Sequence, residues 1–129
     1  MNIVLDMKIK LKLVTTVTIF GFSVLSVGYV AADTAWITTS VSRTYVSEDT
    51  IFGGCLVYSN TALSAKLNCK DGWVSMDCAG TLGGSKAEGT RKYQEAQLAQ
   101  VIGGRITMLV NDQKKINGWC VADRVQSRR

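Results

Sequence analysis

The sequence predicts an α+β domain that is mostly β, and three observations carry this expectation. Runs rich in Val, Ile, Thr and aromatic residues recur between Trp36 and Val125, the composition of half-buried strands. One stretch only, ending at Ile102, carries convincing helical spacing. That helix then passes through Gly103-Gly104 straight into another alternating run. A single helix between strand-like segments is the pattern of a small α+β fold.

Taken in order, Trp36–Val46 (WITTSVSRTYV) predicts a long first strand. Ser47-Glu48-Asp49 breaks it, and Ile51–Tyr58 (IFGGCLVY) is a second strand, with Gly53-Gly54 marking a bulge or a close backbone approach. Ser59-Asn60-Thr61 turns the chain into a third strand, Ala62–Asn68. Asp71-Gly72 is a hairpin signal leading to a fourth, Trp73–Cys78, where Val74, Met76 and Cys78 alternate against Trp73, Ser75 and Asp77. Ala79–Gly89 is a loop of small residues. Its Ser85-Lys86-Ala87-Glu88 is a candidate capping box, while Gly89 makes Thr90 an equally good helix start. Leu98, Val101 and Ile102 predict the helix's apolar face, widened by Tyr93, Ala96 and Ala99. Gly103 is expected at the left-handed position that ends the helix. Arg105–Val110 and Gly118–Val125 form the last hairpin, with Asn117-Gly118 as its turn signal. Six strands with a helix between the fourth and fifth fit an OB-like Greek-key barrel preceded by one extra strand.

The first 32 residues are set apart from this fold. Lys8, Lys10 and Lys12 precede an uncharged run from Leu13 to Val30, and Val30-Ala31-Ala32 places small residues where a signal peptidase reads them. Residues 1–32 are therefore expected to be a signal peptide, with translation starting at Met1 or Met7, and residues 33–129 a single domain. The Thr, Ser and Gly content of the run argues against a membrane anchor. The mature chain is expected to have no membrane span and to be secreted or periplasmic.

Cys55, Cys69, Cys78 and Cys120 all fall after this leader. An even count in a short exported chain reads as two disulfides. A zinc site is disfavoured, because the cysteines lack close paired spacing and the chain has no histidine. Of the three possible connectivities, adjacency of the expected strands favours Cys55–Cys69 and Cys78–Cys120.

Absence of histidine also removes a His-based triad or a histidine general base at neutral pH. Asp77 and Asp123 are the only carboxylates in strong strand positions, and both are expected to point outward. Gly83-Gly84-Ser85-Lys86 has the wrong order for a phosphate loop. No catalytic residue, metal ligand or cofactor site is assigned, and a non-enzymatic chain is expected. Removing Lys8, Lys10, Lys12 and Asp6 from 15 basic and 10 acidic residues leaves 12 against 9, a net +3. That is too little, and too scattered, for a nucleic-acid partner.

Binding is the better-supported class. Trp and Tyr join an apolar face to a polar edge and suit sugar or protein surfaces, so Trp36, Tyr45, Tyr58 and Trp73 are the candidate ligand-binding residues. Gln94, Gln97 and Gln100 share the polar side of the helix. Uncharged amides there can meet symmetry mates without like-charge repulsion, which makes them candidate oligomer-facing residues. An open barrel edge is expected to assist such self-association.

Cys55-Leu56-Val57-Tyr58, a second cysteine about one hairpin later, Tyr93–Ala99 (YQEAQLA) and Gly103–Val110 (GGRITMLV) together carry a resemblance. The chain resembles the receptor-binding B subunits of bacterial A–B toxins, nearest the subtilase-cytotoxin and pertussis-like branch. The resemblance implies a small barrel, a cysteine pair bridging two strands, and helices lining the pore of a ring. Asp33–Thr39 does not match the segment that contacts sugar in that family, and the second cysteine pair is additional. No site residue is carried over. The expected function is an exported glycan- or receptor-binding module, with a homo-oligomer and a glycan or glycoprotein as partners. The alternative is a monomeric periplasmic interaction or inhibitor protein.

Overall fold

Residues 33–128 are described in the computed structural model of the chain. The expected signal peptide and its cleavage site lie outside the described residues. Five strands and one helix follow in the order β1 (Thr34–Val46), β2 (Cys55–Ser59), β3 (Trp73–Ser75), α1 (Lys86–Val101), β4 (Arg105–Ile116) and β5 (Trp119–Arg128). The strands close into a barrel in the spatial order β1-β2-β3-β5-β4, with β4 returning to β1. Every pairing is antiparallel except β3 with β5, a parallel seam whose register is Ser75 opposite Val121. Among the described residues no helix is long and apolar enough to cross a membrane.

The expectation of a mostly β chain with one helix holds, but the expected count of six strands becomes five. Ala62–Asn68 is not a strand. Leu63 and Leu67, four residues apart, are both buried, which is the spacing of a helical turn rather than of alternation. The Lys66 and Leu67 amides accordingly donate to the Leu63 carbonyl at 3.0 Å. Asp71 holds the start of this turn, its carboxylate accepting from the Leu63 and Ser64 amides at 2.7 and 2.8 Å. The hairpin at the other end of the chain is longer than expected, since β4 continues to Ile116 and turns through Asn117 and Gly118.

Strand β1 is shared between two partners. Thr34–Ser40 pair with β4, and Val41–Val46 pair with β2, with a register shift between Val41 and Arg43. The extra residue, Ser42, bends the strand around the barrel corner. Ile37 and Val41 of β1, Val57 of β2, Val74 of β3, Ile106, Met108 and Val110 of β4, and Cys120 and Ala122 of β5 fill the interior. Among their sequence neighbours, Trp36 is exposed and Tyr58, Trp73 and Trp119 are half-buried.

The helix covers one mouth of the barrel, touching β1, β2, β4 and β5. It does so through Gly89, Tyr93, Ala96 and Ala99, a stripe of mostly small side chains that lets the helix approach closely. The expected apolar face is corrected here: Leu98, Val101 and Ile102 are 52%, 84% and 54% exposed. The helix starts at Lys86, with Ser85 extended before it, so the earlier of the two expected starts is the real one. It stops at a Schellman turn. Gly103 has φ 65°, and the Gly104 amide donates to Ala99 O at 2.8 Å.

The disulfides are Cys55–Cys78 and Cys69–Cys120, which overturns the expected Cys55–Cys69 and Cys78–Cys120. The absent third strand is the reason. The turn at Leu63–Leu67 carries Cys69 to the β4–β5 end, where the Asn68 amide donates to an Asp112 carboxylate oxygen at 3.2 Å. Cys78 lies beyond β3, past a bend at Asp77 (φ 54°) that returns the chain over the start of β2. There the Ala79 amide donates to Gly53 O at 2.9 Å.

Candidate functional site

Side chains on the outer face of the barrel meet along a row that crosses four strands. Arg43 of β1 is paired with Tyr58 of β2, and Tyr58 with Trp73 of β3. Because β3 and β5 run parallel with Ser75 opposite Val121, two residues back along both strands sets Trp73 beside Trp119. The row exists because these positions alternate with core residues: Val57 and Val74 point inward, so Tyr58 and Trp73 point out. Tyr45 and Leu56 form the next row.

The rings pack edge to face. Trp73 and Tyr58 have centroids 5.1 Å apart with planes at 86°, and Trp73 and Tyr45 are 6.4 Å apart at 69°. Such pairs contribute about 1 kcal/mol beyond their burial. Beyond Trp73 the surface dips into a shallow groove of about 210 Å³ lined by Tyr45, Phe52, Leu56, Trp73 and Trp119. Phe52 comes from the β1–β2 connection. On the other side of Tyr58 lies a polar hollow of about 220 Å³ that includes Asn60, Asp71 and Gly72.

Each end of the row carries a cation. The Arg43 guanidinium lies 4.2 Å from the Tyr58 centroid and 5.5 Å from that of Trp73. Lys70 Nζ lies 5.4 Å from the centroid of the Trp119 ring. Tyr58 is in addition backed by Gly72, where a β-carbon would fall 2.8 Å from Cε2 of the tyrosine. A side chain at residue 72 would push the ring out, so the hairpin glycine is required by contact as well as by its turn.

Of the four expected ligand-binding residues, the structure brings together Tyr45, Tyr58 and Trp73. Trp36 does not join them. It pairs with Leu109 on the β1–β4 side and stands alone there, 44% exposed. Tyr58 is half-buried, and its ring lies under the Arg43 guanidinium. Arg43, Phe52, Lys70 and Trp119 are not among the expected ligand-binding residues. Trp119 was legible as a strand residue preceding a core cysteine, but the parallel β3–β5 seam that sets it beside Trp73 is a long-range register with no local signal.

Of the expected oligomer-facing residues, Gln94 and Gln97 are exposed. Gln100 is engaged within its own chain: its amide nitrogen donates to Ser42 O at 3.0 Å and its oxygen accepts from Thr44 Oγ1 at 3.2 Å. The expected open edge of the barrel is likewise corrected, because the five strands close.

A second, polar cleft of about 140 Å³ lies between the helix and β5, lined by residues that include Asp77, Glu88, Lys92, Lys114 and Asp123. Asp77 does not point outward as expected. It is buried, and its carboxylate accepts from the Thr81 and Leu82 amides at 2.7 and 3.1 Å. Lys92 Nζ donates to Ala122 O at 2.7 Å, and burial pushes its ammonium below the ordinary lysine value against the attraction of Glu88, Asp123 and Asp77. Burial would raise the Asp123 carboxyl, but hydrogen bonds from Lys114 and Asn111 hold it below the ordinary aspartate value. Asp77, Lys92, Lys114 and Asp123 are thus each committed to a partner that belongs to the fold. The Lys92 bond ties the helix to β5, while those of Asp77 brace the β3–α1 loop and those of Lys114 and Asp123 brace the last hairpin.

Compared with models of known families, curated proteins and solved structures, the chain matches none.

Proposed function

We propose that the chain is an exported, non-enzymatic binding module with an OB-like barrel, taking a carbohydrate or glycosylated partner on the outer face of β1, β2 and β3. The observation that carries this reading is the groove formed by Tyr45, Trp73 and Trp119 beside a polar hollow. Sugars present an apolar ring face and a rim of hydroxyls, and a shallow aromatic floor with amide and carboxylate groups nearby answers both. In OB folds, the face of the second and third strands and the loops flanking it are where oligosaccharides and oligonucleotides bind. The two disulfides fit a secreted or periplasmic location.

The resemblance to toxin B subunits supports the same class of function, and with it self-association. Gln94 and Gln97 are exposed beside Leu98 and Val101, an uncharged and partly apolar patch flanked by exposed Arg91 and Glu95. A glycan array probed with the oxidised protein tests the binding reading. Trp73→Ala is expected to lose about thirtyfold in affinity for any glycan retained, about 2 kcal/mol, as for a central aromatic anchor. Binding that survives this substitution at full strength assigns the ligand to another face.

A further inference from the structure

We propose that the groove takes a linear, anionic glycan, one whose acidic groups lie on both sides of the sugar ring seated against Trp73. The inference rests on the carbohydrate reading above and deepens it. The row Arg43–Tyr58–Trp73–Trp119 crosses from β1 to β5, about 14 Å at the usual spacing between strands. That span suits an oligosaccharide better than one sugar. Both cations sit on aromatic rings, Arg43 on Tyr58 and Lys70 on Trp119. Seating on a ring orders a long side chain in advance, so less rotamer freedom remains to be lost on binding.

Neither cation is neutralised by the fold. Among the described residues the one ion pair joins Lys114 to Asp123, and no hydrogen bond links Arg43 or Lys70 to a carboxylate. Arg43 is covered on one side by rings, yet its planar fork of donors is left free to meet a carboxylate or sulfate in bidentate fashion. Placed at the two ends of an apolar floor, the cations define a ligand with a hydrophobic middle and separated negative charges. A single-stranded nucleic acid shares that outline. It is disfavoured because such ligands are held by a continuous basic track along the backbone, whereas here the cations flank the floor only at its ends.

The test is titration calorimetry of the oxidised full chain at low salt with four probes of similar length: a heparin-derived sulfated hexasaccharide, a hyaluronan hexasaccharide, a neutral chitin-type oligosaccharide and oligothymidylate. One or both acidic sugars are expected to bind at least tenfold more tightly than the neutral one, with affinity falling as salt is raised. The two acidic probes separate sulfate from carboxylate as the recognised group. Arg43→Gln and Lys70→Gln are each expected to cost about tenfold for the acidic sugar and little for the neutral one, while Arg43→Lys retains part of the binding. Both positions are exposed, and unchanged melting of the variants separates lost binding from lost folding. Neutral sugar bound as tightly as acidic, unaffected by both glutamine variants yet lost in Trp73→Ala, overturns this inference and leaves the carbohydrate reading standing. Binding to none of the sugars overturns both. Oligothymidylate bound most tightly, with the same dependence on Arg43 and Lys70, reassigns the groove to nucleic acid.

Discussion

Asp71 sits on the surface, yet three donors converge on it: the Leu63 and Ser64 amides and the Ser64 hydroxyl, at 2.7 to 2.8 Å. The hydrogen bond from the Ser64 backbone does most to hold its carboxyl below the ordinary value of 3.8. A carboxyl whose folded pKa is depressed stabilises the fold above its unfolded pKa, and that contribution is lost as pH falls through the folded one. Wild type is therefore expected to melt above Asp71→Asn at pH 6, with the gap closing as melts are repeated below pH 3.8. A gap that does not narrow as the pH is lowered would mean that the turn at Leu63 does not depend on the charge. Two glycines of the helix test different forces. A β-carbon on Gly89 would overlap the Asp77 carbonyl, whereas one on Gly103 would meet nothing within 4 Å. Gly89→Ala is expected to cost about 3 kcal/mol through overpacking, and Gly103→Val about 1–2 kcal/mol through its positive φ alone. Thermal denaturation of the two variants should rank them in that order.

The disulfides show how far local reading reaches. Helix, final hairpin and first strand were legible because their signals lie within the segment: the Gly103 stop, the Asn117-Gly118 turn, and the Thr- and Val-rich run of β1. The stretch from Ala62 to Asn68 reads as a strand because Leu63 and Leu67 are too few to establish a helical period against a background of small polar residues. That turn, with the bend at Asp77, changes the cysteine pairing. The helix face differs for a related reason: Leu98, Val101 and Ile102 are the larger side chains, but the barrel mouth takes Ala96 and Ala99, whose smallness is what the contact needs. Non-reducing peptide mapping is expected to recover Cys55–Cys78 and Cys69–Cys120. In the chain-entropy account these crosslinks, spanning 23 and 51 residues, stabilise by about 3.5 and 4 kcal/mol. Replacing Cys69 and Cys120 together should therefore lower the melting temperature more than replacing Cys55 and Cys78. The reverse order would show that native-state contacts at the β2–β3 end outweigh loop closure.

Closure of the barrel decides what kind of assembly is open to the whole chain. With the strands closed into a ring, the self-association proposed above would run through side chains, and the outer side of α1 is the surface proposed for it. Light scattering of the oxidised protein at tens of micromolar, above ordinary oligomer dissociation constants, is expected to find a defined oligomer. Gln97→Glu with Leu98→Lys should return it to a monomer without a change in helix content. A wild-type monomer at that concentration would instead favour the interaction-protein alternative. The aromatic face and the outer helix are separate surfaces, so the two readings can fail independently.

The division of β1 between two partners bears on how the chain reaches this shape. Its C-terminal half can pair at once with β2, but its N-terminal half waits for β4, with Thr34 meeting Asn111. The chain is made from its N-terminus, so this half of the first strand must wait for β2, β3 and α1 to be made before β4 covers it. Until β4 arrives, Thr34–Ser40 is an uncharged, β-prone ribbon with both edges open, the kind of segment that pairs with its own copies. Refolding yield should consequently fall as protein concentration rises, and a chaperone that holds extended segments should relieve the loss by shielding this strand.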